Sequence, residues 1–237
     1  MTRAHQGHSP SVLVVDDEPA ILNIVSKILQ QHGFFVFTCG DGETALTVFE
    51  DVHPRLVILD VRLPGVDGLT VCKRIRAVSD VPIVMLTMID DQRDAARAFE
   101  AGADDYVRKP FGAEELVARV SAVLRRSRVA VLPRETLLFG PLTLDCARHL
   151  AGVGDHDLKL TATEFMLLAY LIRNQDRVLT HDQILEAIWG PEYVDSRHVL
   201  RVTMSRLRQK IDLPDHRFIE TLPRIGYRLR GLQKLAA

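Results

Sequence analysis

This 237-residue sequence predicts an α/β domain with a doubly wound, five-stranded parallel sheet, followed by a smaller α+β domain. Three observations carry that prediction. From Val12 to Leu124, short apolar runs alternate with helical periods across short connections. Several of those runs stop abruptly at a carboxylate or a hydroxyl. The charge also divides unevenly: residues 1–124 hold 12 Lys and Arg against 18 Asp and Glu, residues 125–237 hold 18 against 13, and the whole chain is near neutral at −1. An acidic half followed by a basic half implies an anionic partner, nucleic acid, for the second.

Taken in order, strands are expected at 12–15, 34–38, 56–59, 82–86 and 105–108, and helices at 19–31, 43–50, 68–78, 92–101 and 113–125. Gly33, Gly40, Pro54, Pro64, Gly65, Pro82, Gly102, Pro110 and Gly112 all fall between these elements, as turn residues should. VLVVDD, LVILD and PIVMLT read as buried parallel strands of four to six apolar residues. In an open parallel sheet, ligands bind outside the carboxyl ends of the strands. The residues at those ends are Asp16, Asp17, Asp60, Thr87 and Lys109. Clustered carboxylates repel, so the set implies a hard cation such as Mg²⁺. A metal, a lone Asp, a hydroxyl and a Lys together make a phosphoryl-accepting site.

Residues 126–135 are charged, contain Pro133 and read as a linker between a domain at 10–125 and one at 136–232. Short strands follow, with turns at Gly140-Pro141 and Gly152–Gly154. LTATEFMLLAYLIRN is a helix: Thr161 and Glu164 form a capping box, and Phe165, Leu168, Ala169 and Ile172 recur at helical spacing. THDQILEAIWG is a second capped helix, with Trp189 in its core. The third helix, 195–211, has an apolar stripe of Leu200, Met204, Leu207 and Ile211. Its opposite face carries His198, Arg201, Val202, Ser205, Arg206 and Gln209, flanked by Arg208 and Lys210; Thr203 joins the candidate contacts. Such side chains suit base edges. Residues 196–230 hold nine Arg and Lys against three Asp and Glu, so local acids do not balance this face. By helical angle Arg206 points away from the stripe and is expected to read a base, whereas Arg208 lies nearer the DNA backbone. FIETLPRIGYRLR closes the domain as a hairpin turning near Pro223–Gly226.

No apolar stretch reaches the ~20 residues of a membrane span, and MTRAHQGHSP lacks an apolar signal core, so a cytoplasmic location is expected. Cys39, Cys72 and Cys146 are too few and too scattered for a disulfide framework or a zinc site. His5 and His8 belong to a solvated tail.

The strings VLVVDDEPAI, LVILDVRLPGVDGL, PIVMLT and AGADDYVRKPF, in this order over residues 11–125, resemble the receiver domain of bacterial response regulators. The resemblance implies strand order 2-1-3-4-5 and Asp60 as phospho-acceptor. It places Mg²⁺ on Asp17, Asp60 and the Arg62 carbonyl, with Asp16 acting through water. Lys109 and Thr87 would bind the phosphoryl oxygens, Tyr106 would turn inward with them, and Lys109-Pro110 would be a cis peptide. Met88 stands where the family usually has a small residue, and Arg62 and Ile89 occupy positions that vary among relatives.

LTATEFMLL, RVLTHDQILEAIWG, SRLRQKI and IGYRL resemble the winged-helix domain of the OmpR/PhoB branch. WGPEY and LRVTMSRLRQK look closest to its Kdp-type members. In that branch a receiver dimer forms through charged residues that match Glu100, Asp104, Asp105, Glu115 and Arg119 here, with Ala95 in place of one basic partner. The wing departs from the usual Arg-Gly-x-Gly-Tyr: Arg224 stands where a glycine is usual, which implies a different turn. The resemblance implies a transcriptional regulator and not a turnover enzyme. A histidine kinase would phosphorylate it, it would bind tandem half-sites of promoter DNA as a dimer, Arg224 would contact the minor groove, and loop 190–194 would touch RNA polymerase. The alternatives are an aspartyl-phosphate-type phosphatase and a DNA-binding protein with a phosphorylation-independent receiver.

Overall fold

The computed structural model describes residues 9–88, 92–127, 135–214 and 216–231. The chain divides into two compact units: Met1–Asp90 with Ala101–Val120, and Asp91–Glu100 with Ser121–Ala237. Ile89, His5, His8 and most of the expected linker lie outside the described residues, as do the side chains of residues 92–96.

The first unit is built on five parallel strands: β1 (Ser11–Val15), β2 (Phe35–Cys39), β3 (Leu56–Asp60), β4 (Ile83–Thr87) and β5 (Asp105–Arg108). Their order is β2-β1-β3-β4-β5, so the sheet reverses direction of growth beside β1 and β3, as the receiver resemblance implies. β1, β3 and β4 are almost entirely buried, which is why they read as continuous apolar runs instead of alternating ones. The intervening helices are α1 (Pro19–Gln31), α2 (Gly42–Val52), α3 (Gly68–Val78), α4 (Gln92–Ala101) and α5 (Ala113–Ser127). Pro19 starts α1, where its missing N–H costs nothing. Asp41 and Asp67 cap α2 and α3 by accepting from Thr44 N and Thr70 N at 2.8 and 2.9 Å. The last helix runs two residues past its expected end at 125.

In the second unit, β6 (Thr136–Phe139), β7 (Leu142–Asp145), β8 (Leu150–Val153) and β9 (His156–Leu158) form an antiparallel meander. Then come α6 (Ala162–Arg173), β10 (Leu179–Thr180), α7 (His181–Ile188), a 3-10 turn at Pro191–Tyr193 and α8 (Arg197–Ile211). A hairpin of β11 (Ile219–Leu222) and β12 (Gly226–Leu229) closes the unit, with β12 pairing β10 on its other side. Thr161 and Thr180 both make full capping boxes, with Glu164 and Gln183. Trp189 is fully buried, as are Leu200, Leu207 and Ile211 on the apolar stripe of α8, with Met204 nearly so. Gly226 is fixed by packing: a Cβ there would stand 1.9 Å from the Leu179 carbonyl oxygen. All three cysteines are buried and free.

Candidate functional site

Adjacent strands bring the chemistry of the first unit to one rim. Asp16 and Asp17 follow β1, Asp60 ends β3, Thr87 ends β4 and Lys109 follows β5. Asp16, Asp60, Thr87 and Lys109 are buried, whereas Asp17 is exposed. Carboxylate oxygens of the three aspartates lie within 4.8 Å of one another. The Lys109 ammonium sits between two of them, 2.6 Å from Asp16 Oδ2 and 2.7 Å from Asp60 Oδ2. The Lys109-Pro110 peptide is cis. Gly68, at the start of α3, rests directly on the acceptor loop: a Cβ there would lie 1.8 Å from the Asp60 carbonyl oxygen, so only glycine fits.

One ammonium does not balance three carboxylates. Burial raises the Asp16 pKa, and the neighbouring Asp60 charge adds to the rise against the lowering pull of Lys109. Burial alone would lower the Lys109 pKa, but hydrogen bonds to Asp16 and Asp60 outweigh it and hold the ammonium protonated. The excess of negative oxygen donors at one open rim fits a hard divalent cation. Thr87 Oγ1 is buried and has no hydrogen-bond partner among the described residues. A buried hydroxyl normally finds a partner, so this one is poised for an oxygen brought by a ligand. Arg62 N donates to Asp60 Oδ1 at 3.2 Å, which sets that peptide against the acceptor carboxylate. The sequence reading overlooked Glu18, whose Oε1 lies 3.7 Å from Lys109 Nζ. Only its place after the acid pair could have signalled it.

The expected dimer face needs correction at two positions. Asp104 is buried, binding the Arg76 guanidinium at 2.5 Å and Ile83 N at 3.0 Å. It therefore ties α3 to the start of β4 and does not face a partner. Asp105 is also buried and meets Arg119 Nη1 of its own chain at 3.2 Å, so the pair expected between two chains closes within one. Arg119 reaches Glu115 as well, at 3.2 Å, and its guanidinium lies 5.6 Å over the half-buried Tyr106 ring. Glu100 and Glu115 are exposed, as expected of a face.

On α8, Arg201 and Ser205 are exposed, and His198 and Val202 are half-buried. Three expectations fail there. Thr203 is buried and its hydroxyl donates to Val199 O at 2.9 Å, satisfying itself on its own helix. Arg206 turns to the fully buried Glu164 of α6, at 3.1 Å, and Lys210 joins the same carboxylate at 2.6 Å. Acids outside the local stretch thus do compensate this helix. Arg208 donates to Ile219 O and Thr221 Oγ1, at 2.9 and 2.6 Å, and so is held against the hairpin. Glu164 had been read only as a helix cap. At the wing tip Arg224 is exposed and adopts φ +67°, with Ile225 N donating to Leu222 O at 3.1 Å. Pro at the second position of the turn and positive φ at the third are type II features. Arg224 therefore takes the left-handed conformation itself, contrary to the different turn expected of a non-glycine residue.

A response regulator receiver domain matches residues 12–121, and the C-terminal domain of transcriptional regulatory proteins matches residues 155–229. The sensory transduction protein RegX3 of Mycolicibacterium smegmatis is 41% identical over 228 residues, covering 93% of this chain and 99% of its own. The alkaline phosphatase synthesis transcriptional regulatory protein PhoP of Bacillus subtilis is 39% identical, covering 92% and 95%. A solved mutant of RitR superposes with a TM-score of 0.75 at 25% identity, over 94% of this chain and 99% of that one. The Kdp-type likeness gains no support from these relatives. No helix among the described residues is long and apolar enough to cross a membrane. Receiver, DNA-binding domain and near full-length identity agree: the chain belongs to the OmpR/PhoB family of two-component response regulators, transcription factors that a sensor kinase activates by phosphorylation and that bind promoter DNA.

Proposed function

We propose that Asp60 is the phospho-acceptor and that Asp17, Asp60 and the Arg62 carbonyl hold Mg²⁺, with Asp16 acting through water. The observation that carries this reading is the buried Asp60–Lys109–Asp16 cluster beside the unpartnered Thr87 hydroxyl. An Asp60 carboxylate oxygen attacks the phosphorus of a phosphohistidine; the new O–P bond forms as the N–P bond breaks, and the departing imidazole nitrogen takes up a proton. Bound Mg²⁺ would supply charge neutralisation at the phosphoryl oxygens. Lys109 leaves its ion pair with Asp60 to bind a phosphoryl oxygen, and Thr87 donates to another. Positioning and electrostatics do most of the work, as in other phosphoryl transfers. Tyr106 packs inward as Thr87 moves.

The protein accepts one phosphoryl group per cycle and is not a turnover enzyme. Phosphorylation favours a homodimer through the exposed charges Glu100, Glu115 and Arg119. The paired winged helices bind tandem half-sites, with His198, Arg201, Val202 and Ser205 towards the bases and Arg224 towards the minor groove. The turn at Pro191–Tyr193 contacts RNA polymerase, and the protein acts in the cytoplasm. Labelling with an acyl-phosphate donor and Mg²⁺ tests the core of this reading. Wild type should gain roughly −1.5 to −2 charges at one site. Asp60→Asn should gain none, and Asp17→Ala should lose labelling together with Mg²⁺ affinity. Full labelling of Asp60→Asn would place the acceptor elsewhere.

A further inference from the structure

We propose that Glu164 is a positioning residue for DNA recognition: it fixes the rotation of α8 about its own axis, so that Arg201, Ser205 and Gln209 read the bases. The proposal rests on the DNA-binding reading above and goes beyond it in naming which side chains read and which only hold.

Glu164 lies in the first turn of α6 with no solvent exposure. As a cap it needs only the Thr161 N–H, which donates to its Oε2 at 2.9 Å. It also binds Lys210 Nζ at 2.6 Å on Oε2 and Arg206 Nη2 at 3.1 Å on Oε1. Those two cations are four residues apart on α8 and so share one face. A buried carboxylate that loses its partners is heavily penalised, so α8 cannot turn away from α6 without that penalty. The other flank of α8 is anchored as well. Arg208 donates to Ile219 O and Thr221 Oγ1 of β11, and its guanidinium lies 5.5 Å over the Tyr227 ring of β12. Arg206 and Arg208, two residues apart, project about 160° from each other around the helix. Both are therefore committed to neighbouring elements on opposite sides.

Arg201, Ser205 and Gln209 remain exposed in the arc between the two anchors, at successive intervals of four residues. Ser205 and Gln209 open onto a groove of about 800 Å³ between α8 and β11, with Arg217 and Arg230 along it. Guanidinium, hydroxyl and amide are groups that discriminate guanine and adenine edges. The basic groove beside them suits a sugar-phosphate strand.

The test uses the full chain, phosphorylated with acetyl phosphate and Mg²⁺, and a site first obtained by selection from random duplex DNA. Glu164→Gln keeps an acceptor for Thr161 N and removes only the charge. Glu164→Gln and Arg206→Gln should each weaken binding to the selected site at least tenfold, leave a scrambled duplex bound as well or better, and combine without further loss. Gln209→Ala should relax preference at a single base position. The proposal is overturned if Glu164→Gln binds the selected site like wild type, if the two losses add in full, or if Arg206→Gln changes the preferred base at one position. Should Glu164→Gln fail to fold, selections on Arg206→Gln and Gln209→Ala decide the same question. If the wild-type selection enriches no sequence at all, the DNA-binding reading fails instead.

Discussion

Asp104→Ala separates a structural role from a dimer role by magnitude. Side chains of Asp104 and Arg76 are only 3% and 10% exposed, and they meet at 2.5 Å. Arg76 also donates to the Gly102 and Val81 carbonyls, and Asp104 accepts from Ile83 N at 3.0 Å. Removing one partner of a buried pair costs about 3–5 kcal/mol, because the other charge stays behind unpaired. The stranded Ile83 amide contributes part of that figure, on the order of 1–3 kcal/mol. Arg76→Met should cost a similar amount, and the double variant should cost less than the two together, since no unpaired charge remains. Urea unfolding followed by tryptophan-independent far-UV signal reads the loss, and the first transition should move to lower urea. A two-unit chain need not unfold in one step, so the midpoint of that transition is the quantity to compare. Phosphorylation-dependent dimerisation of the folded Asp104→Ala protein should survive. A variant as stable as wild type that no longer dimerises would refute the buried-pair argument and return Asp104 to the dimer face.

Met88 follows Thr87 directly and its side chain is well exposed at 59%. Met88→Ala should shorten the phosphoryl lifetime in a radiolabel chase if the thioether shields the acyl phosphate from water; an unchanged half-life removes the idea. Arg224→Gly should stabilise the second unit by about 0.5–1 kcal/mol, since a left-handed L-residue costs roughly 1–2 kcal/mol and glycine gives back part of that gain as backbone entropy. The same variant should bind DNA more weakly with a salt slope lower by ~0.9, if the guanidinium neutralises one phosphate. Unaltered affinity and slope would mean that the wing tip stands clear of the duplex.

The strands and the phosphoryl site were legible because each rests on local signals. A buried parallel strand is a short apolar run, and its end is marked by the first polar residue, so β1 to β5 fall within one residue of their expected bounds. The five rim residues follow from those ends alone. Asp104 was misread because its partner, Arg76, lies 28 residues earlier on another helix, and no spacing rule connects them. Thr203 shows a different failure. Its position between Leu200, Met204 and Leu207 already leans towards the core, and its hydroxyl bonds back to Val199 O, as Ser and Thr can within helices. Arg206 and Arg208 show the general limit: periodicity fixes each residue's angle to its own apolar stripe, but not which element stands beyond that angle.

The rim also shows why stability and chemistry pull apart in the first unit. A core selected for stability alone would place apolar residues at Asp16, Asp60 and Lys109, since buried ion pairs are often matched or exceeded by well-packed hydrophobic groups. Three carboxylates around one ammonium are worse still, because the Asp16 carboxyl is already pushed up by burial and by its neighbour. Such a cluster is retained for what it does. Asp60→Asn takes one negative charge out of this overcharged set while leaving an oxygen to accept from Arg62 N and from Lys109. The variant should therefore unfold at the same or higher urea concentration than wild type while accepting no phosphoryl group. Loss of labelling accompanied by marked destabilisation would mean that the Asp60–Lys109 pair holds the fold together, and the electrostatic account of the site would then be wrong.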